Sequence, residues 1–247
     1  MSPLLEVNHV SKAFGGVQAN QDISMQVADG EIVGIIGPNG SGKTTLFNSI
    51  VGYHPIDQGS ITFADEELSR LRVPHIARRG LLRTFQQTRI YKQMTCVENM
   101  LISRPHANET LGSMLADFDD ADYQEANELL ELVGLYAKRN LQAGELSFGQ
   151  QKLLEFAMAL MNKPKMLLLD EPTAGINPTL INGLLERLLY ANRELGITLL
   201  VIEHNMRVIM SLAQRIYCLA HGQLLAEGDP ETVRQDPRVI DAYLGGQ

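Results

Sequence analysis

The chain of 247 residues carries 21 Lys+Arg against 29 Asp+Glu, a formal net charge of −8, and 45% of its residues are hydrophobic. That is ample material for one large core or two small ones, and the acid excess argues against nucleic acid as a partner, because neutralising phosphates needs clustered cations. No run approaches the roughly 18 to 20 apolar residues of a membrane span and the N-terminus is not strongly apolar, so the expectation is a soluble, unexported protein.

In chain order, LEVNHV (5–10) and ISMQV (23–27) alternate like half-exposed strands, and the Asp29-Gly30 turn between ISMQV and EIVGIIG predicts a local antiparallel hairpin. GSITF (59–63) and, much later, RIYCLAHGQLLAEG (215–228) add candidates for a small antiparallel layer beside a main sheet. From about residue 30 short apolar runs alternate with helix-period stretches, the pattern of an α/β domain with a largely parallel sheet. The basic run Arg70, Arg72, Arg78, Arg79, Arg83 is expected to be a solvated or ion-paired face.

Between about 88 and 152 strand signals fade. A T-x-x-E box at Thr95 to Glu98 and the spacing Ala126, Leu129, Leu130, Val133 predict helices, with a loop or loose helical turn over 104–122. Ser147 and Gln150 form a second capping box, which predicts a helix burying Leu153, Leu154, Ala157, Met158 and Met161. Gly149 in its first turn leaves N–H groups and a positive dipole end that suit an anion. After Gly228, Asp229-Pro230 and Asp236-Pro237 each predict a short helix start. Cys96 and Cys218 stand far apart without a paired motif and are expected to be reduced, inert thiols.

GPNGSGKTT, residues 37–45, follows the apolar strand EIVGII and precedes the helical LFNSIV. It satisfies G-x-x-x-x-G-K-[ST]: glycines let backbone N–H groups close around phosphates, Lys43 adds a point charge, and Thr44 can ligate Mg2+. MLLLDE (166–171) is a buried-strand run ending in Asp170 and Glu171, and ITLLVI (197–202) ends in Glu203-His204. Ligands of parallel sheets sit beyond the carboxyl ends of the strands, which places these groups beside the phosphate loop. Asp170 suits a metal ligand, Glu171 the polarisation of an attacking water, and His204 a contact to the outer phosphate or the water.

Together these residues resemble an ATP-binding cassette (ABC) transporter ATPase subunit, over almost the whole chain and in the family's order. The resemblance implies an α/β P-loop NTPase (RecA-like) core with a mainly parallel sheet, an N-terminal antiparallel β layer and a helical subdomain carrying a signature motif. Residues 1–87 and 153–228 then form the ATP-binding core, 88–152 the helical subdomain and 229–247 a helical tail. ATP and Mg2+ are the implied cofactors. Gly37, Pro38, Asn39, Gly40, Ser41, Gly42, Lys43, Thr44 and Thr45 cradle the nucleotide, with Phe14 where the family stacks an aromatic on adenine. LSFGQ, that is Leu146, Ser147, Phe148, Gly149 and Gln150, looks like the signature that completes the site of a second subunit. Gln86 in RTFQQ matches the glutamine that touches Mg2+ or water, with Gln87 the alternative one register on. AGINP (174–178) stands at the D-loop. Phe148 replaces the middle glycine of the signature, and Asn177 stands where many cassettes have aspartate.

Within the family FGG (14–16), RTFQQTRIYKQMTCVENML (83–101), VIEHNMRVIM (201–210) and LLAEGDPETVRQDPRVIDAYLG (224–245) are most similar to an ATP-binding subunit of branched-chain amino acid importers. Cassettes for urea, short amides or lipopolysaccharide export share the tail pattern. The implied partners are a second ATPase subunit, integral-membrane permease subunits and a solute-binding protein, at the cytoplasmic face of the membrane. Soluble cassette ATPases of nucleic-acid repair or translation are a different class, and usually carry two cassettes or a long coiled-coil insertion.

Overall fold

A computed structural model describes residues 2–84, 90–104 and 118–244. Its contacts divide the chain into two units, one of Met1–Arg83, Lys165–Pro172 and Leu189–Gln247, the other of Thr84–Pro164 and Thr173–Leu188.

The first unit holds two sheets. The antiparallel one has the order β2-β1-β4-β5, from β1 (Leu5–Phe14), β2 (Val17–Val27), β4 (Gln58–Phe63) and the two-residue β5 (Glu66–Glu67). The other has the order β10-β9-β3-β8-β7-β6, from β3 (Ile32–Ile36), β6 (Leu81–Arg83), β7 (Met166–Asp170), β8 (Thr198–Ile202), β9 (Arg215–Ala220) and β10 (Gln223–Gly228). All its pairings are parallel except β9 with β10. β3, β7 and β8 are buried at every residue, as strands covered on both faces must be, and this is why they read as unbroken apolar runs.

Helix α1 (Lys43–Ile50) joins the layers: its Leu46, Phe47 and Ile50 share one core with Val7, Ile23 and Ile61 of the antiparallel sheet and Ile35, Leu168 and Leu200 of the parallel one. Each such side chain contributes about 1.5–3 kcal/mol when fully buried. The short α2 (Val73–Ala77) precedes β6, and α7 (Met206–Leu212) lies between β8 and β9. The tail forms α8 (Pro230–Gln235) and α9 (Pro237–Leu244), with Val233 and Val239 buried.

The second unit is helical. α3 (Cys96–Ile102), α4 (Asp120–Leu132) and α5 (Phe148–Leu160) pack on one another, and Met100, Leu101, Ala126, Leu130, Leu154 and Ala157 are buried on them. Capping boxes start all three, at Thr95, Asp119 and Ser147. α6 (Pro178–Arg193) crosses the boundary at Leu188, and the boundary expected at residue 152 falls inside α5.

Two expectations are corrected. β2 pairs with β1 and not with β3, so the Asp29-Gly30 turn passes from one sheet to the other and closes no hairpin. The alternation of β2 and the two-faced burial of β3 suit different sheets. β9 and β10 do form a hairpin, but at the edge of the main sheet, because five of six β9 residues are buried and pair with β3. Of the basic run, Arg83 takes the ion-paired alternative: its side chain, only 7% exposed, pairs with Asp170. Arg79 is ion-paired as well, with Nε 2.6 Å from Glu66.

Candidate functional site

The glycine-rich loop is the turn from β3 into α1. Gly37 has φ +147° and Gly42, the N-cap of α1, φ +100°. A Cβ at Gly37 would stand 2.1 Å from the Leu219 carbonyl oxygen, and one at Gly42 2.3 Å from that of Ala19. Both backbone conformation and contact therefore exclude a side chain. The loop is braced from outside: Asn20, fully buried on β2, donates from Nδ2 to the Gly42 carbonyl at 3.1 Å, and the Gly222 N–H donates to the Ser41 carbonyl at 3.2 Å.

Lys43 opens α1 and is 6% exposed. Its Nζ donates to the carbonyls of Gly37 (2.8 Å) and Pro38 (2.9 Å), with Ser41 Oγ at 3.4 Å. Burial holds its pKa below the ordinary 10.5, while Glu171 and Asp170 pull it back up. A desolvated ammonium bedded on neutral carbonyls gains strongly from a nearby anion. Pro38 is partly exposed, Asn39 and Gly40 are exposed, Ser41 is buried, and the Thr44 and Thr45 side chains are exposed and half-buried.

β3, β8 and β7 are consecutive parallel neighbours, so their carboxyl ends share one edge of the sheet. Asp170 ends β7 and is 2% exposed. Glu171 follows at φ +49°, its N–H donating to the Ile202 carbonyl at the end of β8 at 2.9 Å. A non-glycine residue in that region costs of order 1–3 kcal/mol and persists where the surroundings over-determine it. His204 Nε2 lies 2.8 Å from Glu171 Oε1. With the proton on Nε2, that contact fixes the direction of the carboxylate. Lys43, Asp170, Glu171 and His204 thus come together at one edge.

Sequence reasoning missed Arg83, whose Nη2 is 2.6 Å from Asp170 Oδ2 and whose Nη1 donates to Asn48 Oδ1 at 2.5 Å. The only signal was its place at the end of a short apolar run, LLR, too brief to read as a strand. Phe14, at the end of β1, is 43% exposed; His54 meets it edge-on at 5.1 Å and Lys12 Nζ lies 5.2 Å from its centroid. Gln86 and Gln87 lie outside the described residues.

In the helical unit, Ser147 Oγ accepts from the Gln150 N–H (3.4 Å) and Gln150 Oε1 accepts from the Ser147 N–H (3.2 Å) and from Lys138 Nζ (3.1 Å). Leu146 and Gly149 are buried, Ser147 and Phe148 exposed. The Phe148 ring lies over Gly175: a Cβ on that glycine would stand 2.9 Å from Phe148 Cε1. The aromatic side chain of Phe148 therefore leaves no room for a side chain at Gly175 without a shift of the ring.

The loop between β3 and α1, closed by two glycines that admit no side chain and by the lysine it buries, defines the class of P-loop nucleotide-binding proteins. Residues 20–174 match the ABC transporter family, and residues 223–247 match a family described as branched-chain amino acid ATP-binding cassette transporter. The high-affinity branched-chain amino acid transport ATP-binding proteins LivG of Salmonella typhimurium and BraF of Pseudomonas aeruginosa are 38% and 39% identical, each over 98% of this chain and 98% of the relative. An ATP-binding cassette of an ABC transporter solved in its ADP conformation superposes with a TM-score of 0.89 at 34% identity, covering 99% of this chain and 100% of the other. A nucleotide-free cassette gives 0.87 at 34% identity, covering 98% of each chain. The chain belongs to the ABC transporter family, as one of its ATP-binding cassettes. It binds ATP and is an ATPase. Among the described residues no helix is long and apolar enough to cross a membrane.

Proposed function

We propose that this chain is the ATP-hydrolysing subunit of an importer for branched-chain amino acids, bound at the cytoplasmic face of the membrane to permease subunits that receive solute from a solute-binding protein. The observation that carries the reading is the Glu171–His204 contact of 2.8 Å at the edge where the phosphate loop opens: a positioned carboxylate beside a phosphate cradle is the equipment of an ATPase and not of a mere nucleotide-binding module. The branched-chain substrate is supported by the names of the relatives and by the match over residues 223–247.

Lys43 leaves the carbonyls of Gly37 and Pro38 for the outer phosphates. Thr44 and Asp170, with Gln86 from the sequence pattern, would hold Mg2+. Hard oxygen donors, few in number and completed by phosphates and water, fit that ion, and among the described residues no cluster of three or more His, Cys, Asp or Glu offers a protein-only metal cage. The ion supplies charge neutralisation at the phosphates. Glu171 accepts the proton of the attacking water, and His204 holds its carboxylate in place. A second cassette brings Ser147 and the α5 N-terminus to the γ-phosphate in a head-to-tail pair, since an N-terminal dipole end favours the anion. Preferential binding of ATP to the closed pair supplies the free energy that shifts the permease between its two states.

The test is to purify the tagged chain from detergent-solubilised native membranes and identify what accompanies it. Multi-span permeases, encoded beside a solute-binding protein that takes leucine, isoleucine or valine, are the expected outcome. A solute-binding protein specific for urea or amides would overturn the substrate, and recovery of soluble partners alone would overturn the transport reading.

A further inference from the structure

The tail beyond β10 has no part in the chemistry described so far, yet it reaches the phosphate loop. β3 ends its pairing with β9 at Ile36 and Cys218. At Gly37 the chain leaves the ladder while pressed against the Leu219 carbonyl, so its buried N–H needs an acceptor from elsewhere. That acceptor is the hydroxyl of Tyr243, near the end of α9, at 2.8 Å. On its other side the same residue offers its carbonyl to Lys43 Nζ, also at 2.8 Å. One glycine therefore links the last helix to the lysine that meets the nucleotide. A cleft of about 390 Å³ runs beside this contact, between Pro38–Ser41 and Asp241–Tyr243. Burial raises the Tyr243 pKa to about 12, which keeps the hydroxyl protonated through the physiological range.

We infer that Tyr243 is a positioning residue for nucleotide binding: by accepting from the Gly37 N–H it holds the start of the phosphate loop, and with it the Gly37 carbonyl, in the arrangement that receives phosphate. An orphaned Gly37 N–H favours other conformations of the loop, and apparent affinity falls with the fraction of molecules that remain competent. The coupling is reciprocal, so nucleotide must also tighten the docking of α9.

The inference rests on the phosphate loop being the ATP site, which Lys43→Ala tests separately. For Tyr243→Phe, which removes one oxygen, the expected result is a rise of about 3- to 10-fold in the Kd of ADP and in the KM for ATP, with kcat within about twofold. In the wild-type protein, ADP should slow amide hydrogen exchange in residues 237–244, and in Tyr243→Phe this slowing should be lost. A lower Tm with unchanged nucleotide affinity would make Tyr243 merely structural and overturn the inference, and tighter binding by the variant would make the tail an inhibitory latch and overturn it equally. Should Tyr243→Phe fail to fold, the wild-type exchange measurement decides alone: no change in residues 237–244 on binding ADP ends the proposal. Wild-type affinity in Lys43→Ala would instead sink the assignment of the site.

Discussion

Arg83 and Asp170 form a buried ion pair, Nη2 to Oδ2 at 2.6 Å, with side chains 7% and 2% exposed. Arg83 also lies 5.7 Å from the centroid of Phe47 and donates to Asn48 Oδ1, both on α1. The carboxylate proposed to hold Mg2+ is therefore kept company by a fixed cation, and its Oδ2 is engaged before any metal arrives.

Removing Arg83 leaves Asp170 a buried charge without its directly paired cation, with Lys43 the remaining positive charge that interacts with it. Arg83→Met should lower the unfolding free energy by about 3–5 kcal/mol, the usual result of breaking a buried pair from one side. The variant should also recover more stability than the wild type from millimolar Mg2+ without nucleotide, because the metal replaces the lost countercharge. Urea unfolding with and without Mg2+ checks both; equal Mg2+ effects in the two proteins would show that Arg83 does not compete for the Asp170 carboxylate.

Lys43 makes a pH signature. Its folded pKa lies below the 10.5 of the exposed group, so between the two values the unfolded chain binds more protons and stability contributed by Lys43 rises with pH. Below that window both states are protonated and the burial cost is fully present. Lys43→Met should lose this rise in a urea-unfolding series carried up to pH 10.5. Glu171→Gln removes one of the charges that pull the pKa upward, so it should widen the window by lowering the Lys43 pKa further, as side-chain nitrogen NMR would report.

What was legible in the sequence was whatever depends on local order. The β3–loop–α1 turn could be read because its chemistry is contiguous, and the capping boxes at Thr95 and Ser147 because both arms lie within four residues. The pairing of strands could not be read. The Asp29-Gly30 turn is locally a hairpin signal, but which sheet receives β3 depends on burial on both faces, a long-range matter. Arg83, Asn20 and Tyr243 were missed for the same reason: they reach Asp170, Gly42 and Gly37 from 87, 22 and 206 residues away. Nothing near them in the chain marks that role.

The start of α5 offers a steric test. Gly175 has φ +72° and its missing Cβ would lie 2.9 Å from Phe148 Cε1. Gly175→Ala should therefore cost about 1–3 kcal/mol through backbone strain and contact together. In a Phe148→Ala background only the backbone part remains, so the double variant should be more stable than the sum of the single changes by about 0.5–1.5 kcal/mol. Additive effects would mean that the ring moves aside without cost. Gly149→Ala is a contrasting case: its Cβ would meet the terminal Leu180 Cδ1 at 3.0 Å, a flexible atom that can yield. Stability should change by less than about 1 kcal/mol while ATPase turnover falls sharply, because the side chain would stand at the helix start proposed to face phosphate.

Glu171 and His204 separate binding from turnover. Glu171→Gln keeps the shape of the side chain and removes its negative charge, and with it the capacity to accept a proton. Turnover should fall by about 100-fold or more, the usual worth of a general base, while the Kd for ATP stays within about threefold. Slow hydrolysis with intact binding should let the ATP-closed pair accumulate, which size-exclusion chromatography in ATP would detect as a dimer. His204→Ala leaves the carboxylate chemically competent and removes the contact at 2.8 Å that aims it. Its kcat should drop by less than that of Glu171→Gln, and adding His204→Ala to Glu171→Gln should cause little further loss, because residues acting as a unit are not additive. A multiplicative loss in the double variant would show that His204 acts on the phosphate independently of Glu171.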